Sequence, residues 1–537
     1  MLLKTRLLTI CILLLIAFNG MSQNSEQDSL VNLLSNAKGE EKLKILFKLT
    51  DLTIDTEDGI SYANDAIDLA KKIDENALAD AYDKLGLVYY NQYQEIKSLE
   101  NFKKALAIST KNKYHKGTLN ALYRISQIYY YIDSLNQSKS YANQLLRTAT
   151  DIDSTKYQAN ALFQLGMIQK SNNNIDSALV FMNQSLALSQ KIDNKNDIAQ
   201  AYNQIGQLYY TIADYKKSIE FYTKEIEIKE SLNDQQGLAI AYYNFGRTHT
   251  SIGNYQLAIE KYQKALKIFE DINYPSGIAL SCSGIGAIYE NLSQSALATK
   301  ENEANYNKAL EFHNKALNLF RNMGAKDEEG QTLQNIGNVY SRLATNKFVE
   351  RFGEEWEDSL FKIRQTELLE SFKNAIDYYN QSLRIFGETN NERETAKVNI
   401  NLGSTYSWAK DWGKADSYIN KGLQIARKNN LQYEITAALY ALGESQFRQK
   451  KLSSAESSFL ECAKLSSELG LKETLRYCYD RLAKLYEQTD NISTALFYHK
   501  MAVRIKDEIF SEKSQKIITE MQTKYETDKK EQENKLL

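Results

Sequence analysis

The sequence predicts an all-α fold, a solenoid of helical hairpins stacked one after another. Three observations predict it: the near absence of proline, a small residue that recurs at a fixed spacing, and a second small residue in register with the first. The chain has 537 residues and one proline, where average usage gives roughly 27. Turns, edge strands and long connections normally use proline, so its absence excludes most β-rich and loop-rich architectures.

A small residue preceded by an apolar one marks the first helix of each unit. The spacing is 40 residues except for two steps, 51 residues from Gly286 to Gly337 and 66 residues from Gly337 to Gly403. An aromatic residue follows three positions later in most units, one turn further along the same helix face. Serine and alanine fill the position at Ser126 and Ala483. Glycine fills it at Gly86, Gly166, Gly206, Gly246, Gly286, Gly337, Gly403 and Gly443.

A second small residue, twelve positions further on, marks the second helix of each unit. In the two long units its equivalents are Ala309 and Ala375, displaced by 11 and 26 residues, which are the same excesses as in the 51- and 66-residue steps. A bulky residue such as Phe102 or Tyr222 stands four positions later. Each unit is therefore predicted to be two amphipathic helices whose large side chains fill the space beside small ones.

At these residues the sequence resembles the tetratricopeptide repeat family, whose motif carries the Leu-Gly pair, the following Tyr and the Ala, Phe/Tyr, Ala series of the second helix. The resemblance covers residues 40–510, about eleven units if a degenerate first one is counted, and residues 23–39 would form an N-terminal cap. It implies a right-handed superhelix. The proline that closes each repeat of the family is missing, and the units have 40 residues rather than the usual 34. The fullest match is Gly253, Tyr255, Ala258, Tyr262 and Ala265.

The N-terminus has the features of a secretory signal peptide over residues 1–22. Lys4 and Arg6 precede an apolar run from Leu7 to Phe18, and small residues follow at Gly20 and Ser22. A membrane anchor is the alternative, but a dozen apolar residues are too few to cross a hydrocarbon core that needs about 20. We therefore expect an exported, periplasmic protein.

No motif for catalysis, metal binding or cofactor binding is found. The sequence has no glycine-rich nucleotide loop, no H-E-x-x-H and no paired C-x-x-C, so we expect no enzyme and no cofactor. Interspersed charges with a formal net charge of −2 argue against nucleic acid as a partner, because such binding needs a basic patch. His249, His313 and His499 occupy packing positions of the repeat.

Three cysteines follow the signal peptide. Export permits disulfides, yet an odd number of distant cysteines is not a disulfide framework. Buried free thiols are the expected state of Cys282, Cys462 and Cys478, and the alternative is that Cys462 and Cys478 meet on adjacent helices.

The resemblance also implies where a ligand would bind, because the family's concave groove is lined by first-helix residues around the small position. Amide side chains there can pair with both N–H and C=O of an extended peptide, and tyrosines add flat contact area. The alternative is that these are ordinary solvated polar residues. The lysine-and-asparagine carboxylate clamp of some relatives is missing. The predicted groove residues are Tyr123, Gln127, Tyr130, Gln164, Asn203, Gln204, Gln207, Tyr210, Tyr243, Asn244, Arg247, Asn335, Asn338 and Asn401.

Insertions near residues 291–305 and 344–370 account for the two long units. Both fall between the first helix and the second, so we expect them to project from one edge as a lobe. Their apolar faces either pack against each other or serve dimerisation or ligand contact. The longer insertion has helical apolar spacing at Phe348, Phe352, Trp356, Leu360, Phe361, Leu368 and Phe372.

The C-terminal residues 511–537 form a charged segment without proline or glycine, predicted to be a connector helix able to form a coiled coil with a second copy. A frayed tail is the alternative. The segment resembles the connector that follows periplasmic tetratricopeptide arrays in Bacteroidetes histidine kinases and helix-turn-helix regulators. That resemblance implies the sensor part of a membrane-bound, two-component signalling protein with a protein or peptide ligand. The alternative is a free-standing exported adaptor for complex assembly.

Overall fold

The computed structural model describes residues 26–293, 300–352, 357, 359 and 362–509, and no strand occurs within them. The predicted all-α solenoid of helical hairpins is confirmed. The predicted signal peptide and the charged connector helix lie outside the described residues. The chain divides into two compact units, Met1–Thr248 and His249–Leu537, called unit 1 and unit 2 below. None of the helices in the described ranges is long and apolar enough for a membrane span.

The helices follow one another with short connections. The helix α1 covers residues 26–36. It is followed by α2 (Gly39–Leu52), α3 (Glu57–Ala70), α4 (Glu75–Asn91), α5 (Glu95–Lys111), α6 (His115–Tyr131), α7 (Leu135–Asp151), α8 (Thr155–Ser171), α9 (Ile175–Lys191), α10 (Lys195–Thr211), α11 (Tyr215–Ser231), α12 (Gln235–Ser251), α13 (Tyr255–Asp271), α14 (Pro275–Leu292), α15 (Lys300–Met323), α16 (Lys326–Phe352), α17 (Gln365–Ser371), α18 (Lys373–Glu388), α19 (Glu392–Trp408), α20 (Trp412–Lys428), α21 (Gln432–Arg448), α22 (Leu452–Glu468), α23 (Lys472–Gln488) and α24 (492–509).

The connections within and between the helical hairpins are alike, which explains the 40-residue period. Helices from α4 to α13 have 17 residues each, and three residues join each to the next. The middle residue of these joints has a left-handed φ, as at Asp133 (57°), Asn173 (59°) and Gly253 (82°). Asn, Asp and Gly tolerate this conformation best. Proline cannot adopt it, and Pro275 stands at the first position of α14, where it is tolerated.

Each small first-helix residue faces a bulky residue of its own second helix. A Cβ added to Gly86 would lie 2.7 Å from the Phe102 ring, and one added to Gly443 would lie 2.6 Å from the Phe459 ring. In the lengthened hairpin that contains Gly286, the facing residue is His313, as the 11-residue displacement predicts. The predicted alternation of small and large residues in the hairpins is confirmed.

The recurring first-helix tyrosines stack on aromatic rings of the second helix. Ring centroids are 5.6 Å apart for Tyr209 and Phe221, with planes 12° apart, and 5.4 Å apart for Tyr340 and Tyr378. Such pairs add packing energy beyond the burial of their area. The tyrosine content of the chain is thus partly structural.

In both insertions, described apolar side chains pack on neighbouring helices. Apolar side chains of the longer insertion, Phe348, Leu368 and Phe372, pack with Val398 and Leu402 of the following first helix. Residues Trp356, Leu360 and Phe361 lie outside the described residues. Near the shorter insertion, Tyr306 packs with Tyr289, Leu310, Val339 and Leu343.

The last helix, α24, has an apolar face that no described helix covers. Ile505 is buried, whereas Ile492, Leu496 and Val503 are exposed. The three exposed residues stand four and seven positions apart, which places them on one side of the helix.

Candidate peptide-binding face

The first helices of unit 1 carry a group of polar side chains that contact one another between hairpins. We name this group the central cluster and define it by its members on α8, α10 and α12. Neighbouring first helices lie close together in a hairpin stack, so side chains from consecutive units can meet. The members of the central cluster are Lys170, Asn203, Gln204, Gln207, Tyr210 and Arg247.

Lys170 is held by two amide oxygens of the next hairpin. Its Nζ donates to Gln204 Oε1 at 2.7 Å and to Gln207 Oε1 at 2.6 Å. Burial lowers the pKa of Lys170, and the Arg247 guanidinium lowers it further.

Asn203 links the central cluster to a buried acid on the second helix. Its Nδ2 donates to both carboxyl oxygens of Glu225 at 3.0 Å, and its Oδ1 accepts from Gln207 Nε2 at 2.7 Å. Glu225 is 2% exposed. Burial raises the pKa of Glu225 to about 8, because desolvation disfavours the charged carboxylate. At neutral pH this group therefore holds a proton most of the time.

Aromatic rings frame the other side of the central cluster. The Arg247 guanidinium lies 4.3 Å from the centroid of the Tyr210 ring, a cation–π distance. Tyr215 meets the Tyr210 ring edge-on, with centroids 5.7 Å apart. Burial raises the pKa of Tyr243, and the Arg247 guanidinium offsets part of this increase.

The remaining predicted residues of unit 1 divide into surface and buried ones. Tyr130 shares a hydrogen bond of 2.9 Å with Ser171, next to Lys170 in sequence, and Tyr123 and Gln127 are half-buried. Gln164 and Asn244 are each only 5% exposed. Gln164 donates to Ser138 Oγ at 3.3 Å, a contact inside the stack rather than one on its surface.

In unit 2 the three predicted asparagines are half-buried, and two of them meet. Asn338 Oδ1 accepts from Asn401 Nδ2 at 3.2 Å and from the Tyr379 hydroxyl at 2.7 Å. Asn335 accepts from Gln331 within its own helix, at 3.3 Å. Polar side chains of consecutive first helices thus contact each other in unit 2 as well, through the single amide pair of Asn338 and Asn401.

Further along unit 2 the same face carries a network of charges that we name the charge network, formed by Glu357, Glu444, Arg448 and Arg481. Arg481 lies 2.6 Å from Glu444 and 3.3 Å from Glu357, and Arg448 lies 2.8 Å from Glu444. The Arg448 guanidinium also covers the Trp408 ring at 3.4 Å. Glu357 belongs to the longer insertion, so a residue 124 positions away in sequence completes the network.

Several of these residues were missed by the sequence reasoning. The groove positions include the residue four after the small position, which gave Tyr130 and Tyr210, and Lys170 stands at that position after Gly166. The residue one after Gly443 is Glu444. The predicted groove residues were mostly amides and tyrosines, so they did not include Lys170 or Glu444. Glu225 lies on a second helix, and no first-helix rule could find it.

His249 and His313 are both buried. Burial lowers the pKa of His249 and His313 to about 4, which leaves both imidazoles neutral, in line with their packing roles. No group of three or more His, Cys, Asp or Glu side chains suited to a metal ion occurs in the described part of the chain.

The three described cysteines are buried free thiols, as predicted. Cys462 and Cys478 nevertheless meet on adjacent helices, with their sulfur atoms 3.1 Å apart. Both interpretations of the sequence are therefore compatible with the structure: Cys462 and Cys478 are free thiols, and they are neighbours on adjacent helices.

Family models for the tetratricopeptide repeat match residues 78–111, 157–231 and 197–271. Residues 78–111 and 157–271 therefore match tetratricopeptide repeats. The matched segments include α8, α10 and α12 of the central cluster. A curated relative, the Tonsoku-like protein of Danio rerio, is 27% identical over 144 residues, which is 25% of this chain. The match spans only 10% of that protein's length.

Solved structures of repeat proteins are similar at low identity. Aspartyl phosphate phosphatase F from Bacillus subtilis is 13% identical, with a TM-score of 0.45 and coverage of 72% of this chain and 94% of that one. A Rap protein complexed with competence and sporulation factor is 15% identical, with a TM-score of 0.39 and coverage of 61% and 95%. The human IFIT1 dimer with m7Gppp-AAAA is 15% identical, with a TM-score of 0.41 and coverage of 85% and 97%.

Proposed function

We propose that this chain is a non-catalytic scaffold that binds an extended peptide or protein segment on the first helices of unit 1. The observation that carries the proposal is the central cluster, in which side chains of consecutive first helices contact each other: Lys170 binds Gln204 and Gln207, and Arg247 packs on Tyr210. Lys170 and Gln207 are only half-buried, so a ligand can reach them.

The chemistry of the central cluster suits a peptide backbone. Each carboxamide offers both a donor and an acceptor, and these can exchange their present partners for the N–H and C=O groups of an extended chain. Tyr210 and Tyr243 supply flat surfaces with polar tips, the kind of side chain enriched at binding hot spots. The second helices contribute packing instead, as Phe102 and Tyr222 do against Gly86 and Gly206.

The test is a selection of binders from a random peptide library displayed on phage, using the full chain as bait. Selected peptides are then titrated against a Gln207→Ala/Tyr210→Ala variant. We expect affinity to fall at least about 10-fold, because truncated hot-spot residues typically cost over 1 kcal/mol each. Gln184→Ala on α9, an exposed second-helix residue, serves as the matched control. Selected peptides that bind both variants as tightly as the unaltered chain would contradict the proposal.

In the cell, we propose that the chain is exported and acts as the extracytoplasmic sensor of a membrane-bound signalling protein. The N-terminal residues and the resemblance of the C-terminal segment support this role. Ligand binding would alter the pitch of the stack, and the C-terminal helices would transmit the change through their dimer packing. The exposed face of α24, with Ile492, Leu496 and Val503, supports pairing with a second copy.

The second candidate is a free-standing exported adaptor that assembles other proteins, which the same N-terminal residues support. Cell fractionation of the product of the full gene distinguishes the two. A sensor should sediment with the inner membrane and resist extraction by salt, whereas an adaptor should appear in the soluble periplasmic fraction. Recovery from the cytoplasm, with the first 22 residues intact by mass spectrometry, would contradict both.

A further inference from the structure

We propose that Cys462 and Cys478 form a disulfide bond that anchors the last described hairpin, α23 and α24, to the helix α22. The thiols are free in this structure, and their sulfur atoms lie 3.1 Å apart. Bonded sulfur atoms are about 2.05 Å apart, so a movement of about 1 Å closes the bond. The inference does not rest on the proposed function, because neither cysteine belongs to the central cluster.

The meeting of the two cysteines follows from their positions beside the joint between α22 and α23. Cys462 stands six residues before the end of α22 at Glu468. Cys478 stands six residues after the start of α23 at Lys472. Both helices rise by about 1.5 Å per residue, and one apolar cluster contains both cysteines. Residues equally far from the joint therefore lie side by side.

Two other joints of the array show that this pair of positions is a place of close approach. Ala105 and Ala121 occupy it at the joint of α5 and α6. Ser185 and Ala201 occupy it at the joint of α9 and α10. All four residues are small and buried, which lets neighbouring helices pack closely. Cysteines at the same two positions are therefore held within reach of each other by the packing of the repeat.

A chain of hydrogen bonds orients the two thiols and gives them different roles. The Cys478 thiol donates to Cys462 Sγ, and the Cys462 thiol donates to the carbonyl oxygen of Thr436 at 3.4 Å. The hydrogen bond from Cys478 lowers the pKa of Cys462, and the thiolate is the form of cysteine that attacks a disulfide. Cys462 is therefore the attacking thiol, and Cys478 is the thiol that closes the bond.

Bond formation needs an oxidant that itself carries a disulfide, such as glutathione disulfide or a protein disulfide. The Cys462 thiolate attacks one sulfur of that disulfide and expels the other as a thiolate, which leaves a mixed disulfide. The Cys478 thiol then loses its proton, attacks Cys462 Sγ and expels the second thiolate. The two cysteines lose two electrons and two protons in total, and the oxidant takes them up to become two thiols.

Burial determines when this exchange occurs. Both cysteine side chains are 0% exposed, so an oxidant reaches them when α23 separates from α22. Elements at the end of a repeat array open more readily than those inside it, and α23 and α24 form the last hairpin in the described residues. The finished bond closes a loop across the joint and thereby opposes further opening.

The experiment incubates the reduced full chain with glutathione disulfide, alkylates the remaining thiols in denaturant and digests the product with trypsin. Cleavage after Lys464 and Arg476 places the two cysteines in separate peptides, 452–464 and 477–481. We expect these peptides to be crosslinked in the monomeric chain and to separate on reduction. Backbone hydrogen exchange in α23 should slow at least about 10-fold on oxidation, while exchange in α8 stays unchanged.

Alanine variants provide the matched controls. Cys462→Ala and Cys478→Ala should fold, because alanine occupies the equivalent positions at the joint of α5 and α6. Neither variant should form the crosslink or show slower exchange after oxidation. Cys282 is also 0% exposed, but the side chains that pack on it carry no thiol. Cys282→Ala should therefore form the crosslink as the unaltered chain does.

Each contrary outcome overturns a stated part of the inference. Full alkylation of Cys462 and Cys478 after oxidation, a persistent glutathione adduct, or crosslinks only between molecules would overturn the disulfide. Unchanged exchange in α23 of the crosslinked chain would overturn its anchoring role. Because the oxidant is supplied and no peptide ligand is present, these results are independent of the peptide selection that tests the proposed function.

Discussion

The first-helix faces of the two units share a scaffold but differ in how their charges are satisfied. In unit 1, Lys170 and Arg247 lie among amides and tyrosines, and the buried acid nearby, Glu225, has an amide as its hydrogen-bonding partner. In unit 2, Arg481 and Glu444 pair directly at 2.6 Å, and Arg481 reaches Glu357 of the insertion as well.

The difference shows that one repeat geometry can hold its charged groups either in ion pairs or among neutral hydrogen-bonding groups. Buried charges are stable only when paired or hydrogen-bonded. Where a repeat supplies both signs, as at Glu444 and Arg481, the face is satisfied internally. Where it supplies cations and amides, as at Lys170 and Gln207, neutral amide oxygens hold the cation.

The largest predicted effect breaks the charge network. Arg481→Met leaves the Glu444 carboxylate, whose side chain is 9% exposed, without its closest cation. We expect the free energy of unfolding to fall by about 3 kcal/mol, the lower end of the usual cost of removing one partner of a buried pair, because Arg448 still contacts Glu444. Urea unfolding followed by circular dichroism measures it.

The matched control for that variant is an exposed pair in the same unit. Arg427→Met removes an ion pair with Glu461 in which both side chains are about half exposed, and such pairs contribute at most about 1 kcal/mol. Similar losses for the Arg481 and Arg427 variants would show that the network is not structural.

A pH dependence distinguishes Glu225 from the paired acids. Because the folded pKa of Glu225 is about 8, above the ordinary value of 4.5, the folded state binds more protons than the unfolded state between those values. Stability should therefore fall as pH rises through this window, by about 3 kcal/mol between pH 4.5 and pH 7. Glu225→Gln should flatten that slope. An identical slope in the variant would assign the dependence to other groups.

Glycine substitutions test the hairpin packing that both units share. Gly206→Ala places a Cβ 2.9 Å from the Tyr222 ring and Gly443→Ala places one 2.6 Å from the Phe459 ring. We expect losses of about 1–3 kcal/mol in each unit, the usual cost of overpacking. Gly413→Ala, where a Cβ meets nothing within 4 Å, should be neutral or slightly stabilising. Thermal unfolding of the three variants compares them directly, and a larger loss at Gly413 would refute the packing account.

The smallest effect concerns the joints between helices. Ala213 has a φ of 59°, a left-handed conformation that costs an L-residue about 1–2 kcal/mol. Ala213→Gly relieves this but increases the entropy of the unfolded chain, so we expect a net gain of about 0.5 kcal/mol in urea unfolding. The same substitution at helical Ala201 of α10 should be destabilising. A loss at both positions would show that the joint is not strained.

Much of the fold was predictable because it repeats. The spacing between a small first-helix residue and its bulky partner is the same in each regular hairpin, and it survives the insertions in the displaced pairs Gly286 with His313 and Gly337 with Tyr379. Of the predicted face, the sequence selected Asn203, Gln207 and Tyr210, which do come together. It could not show that Gln164 and Asn244 are buried, because burial at that position depends on the neighbouring hairpin.

The sequence by itself determined the helices, the hairpins and their register, because each hairpin is held by contacts between residues at fixed separations. Only the tertiary structure decided which charges meet. Lys170 finds its partners on the following hairpin, and Arg481 finds Glu357 at a separation of 124 residues. Contacts of this kind depend on how hairpins stack and where an insertion turns back. No local spacing encodes them.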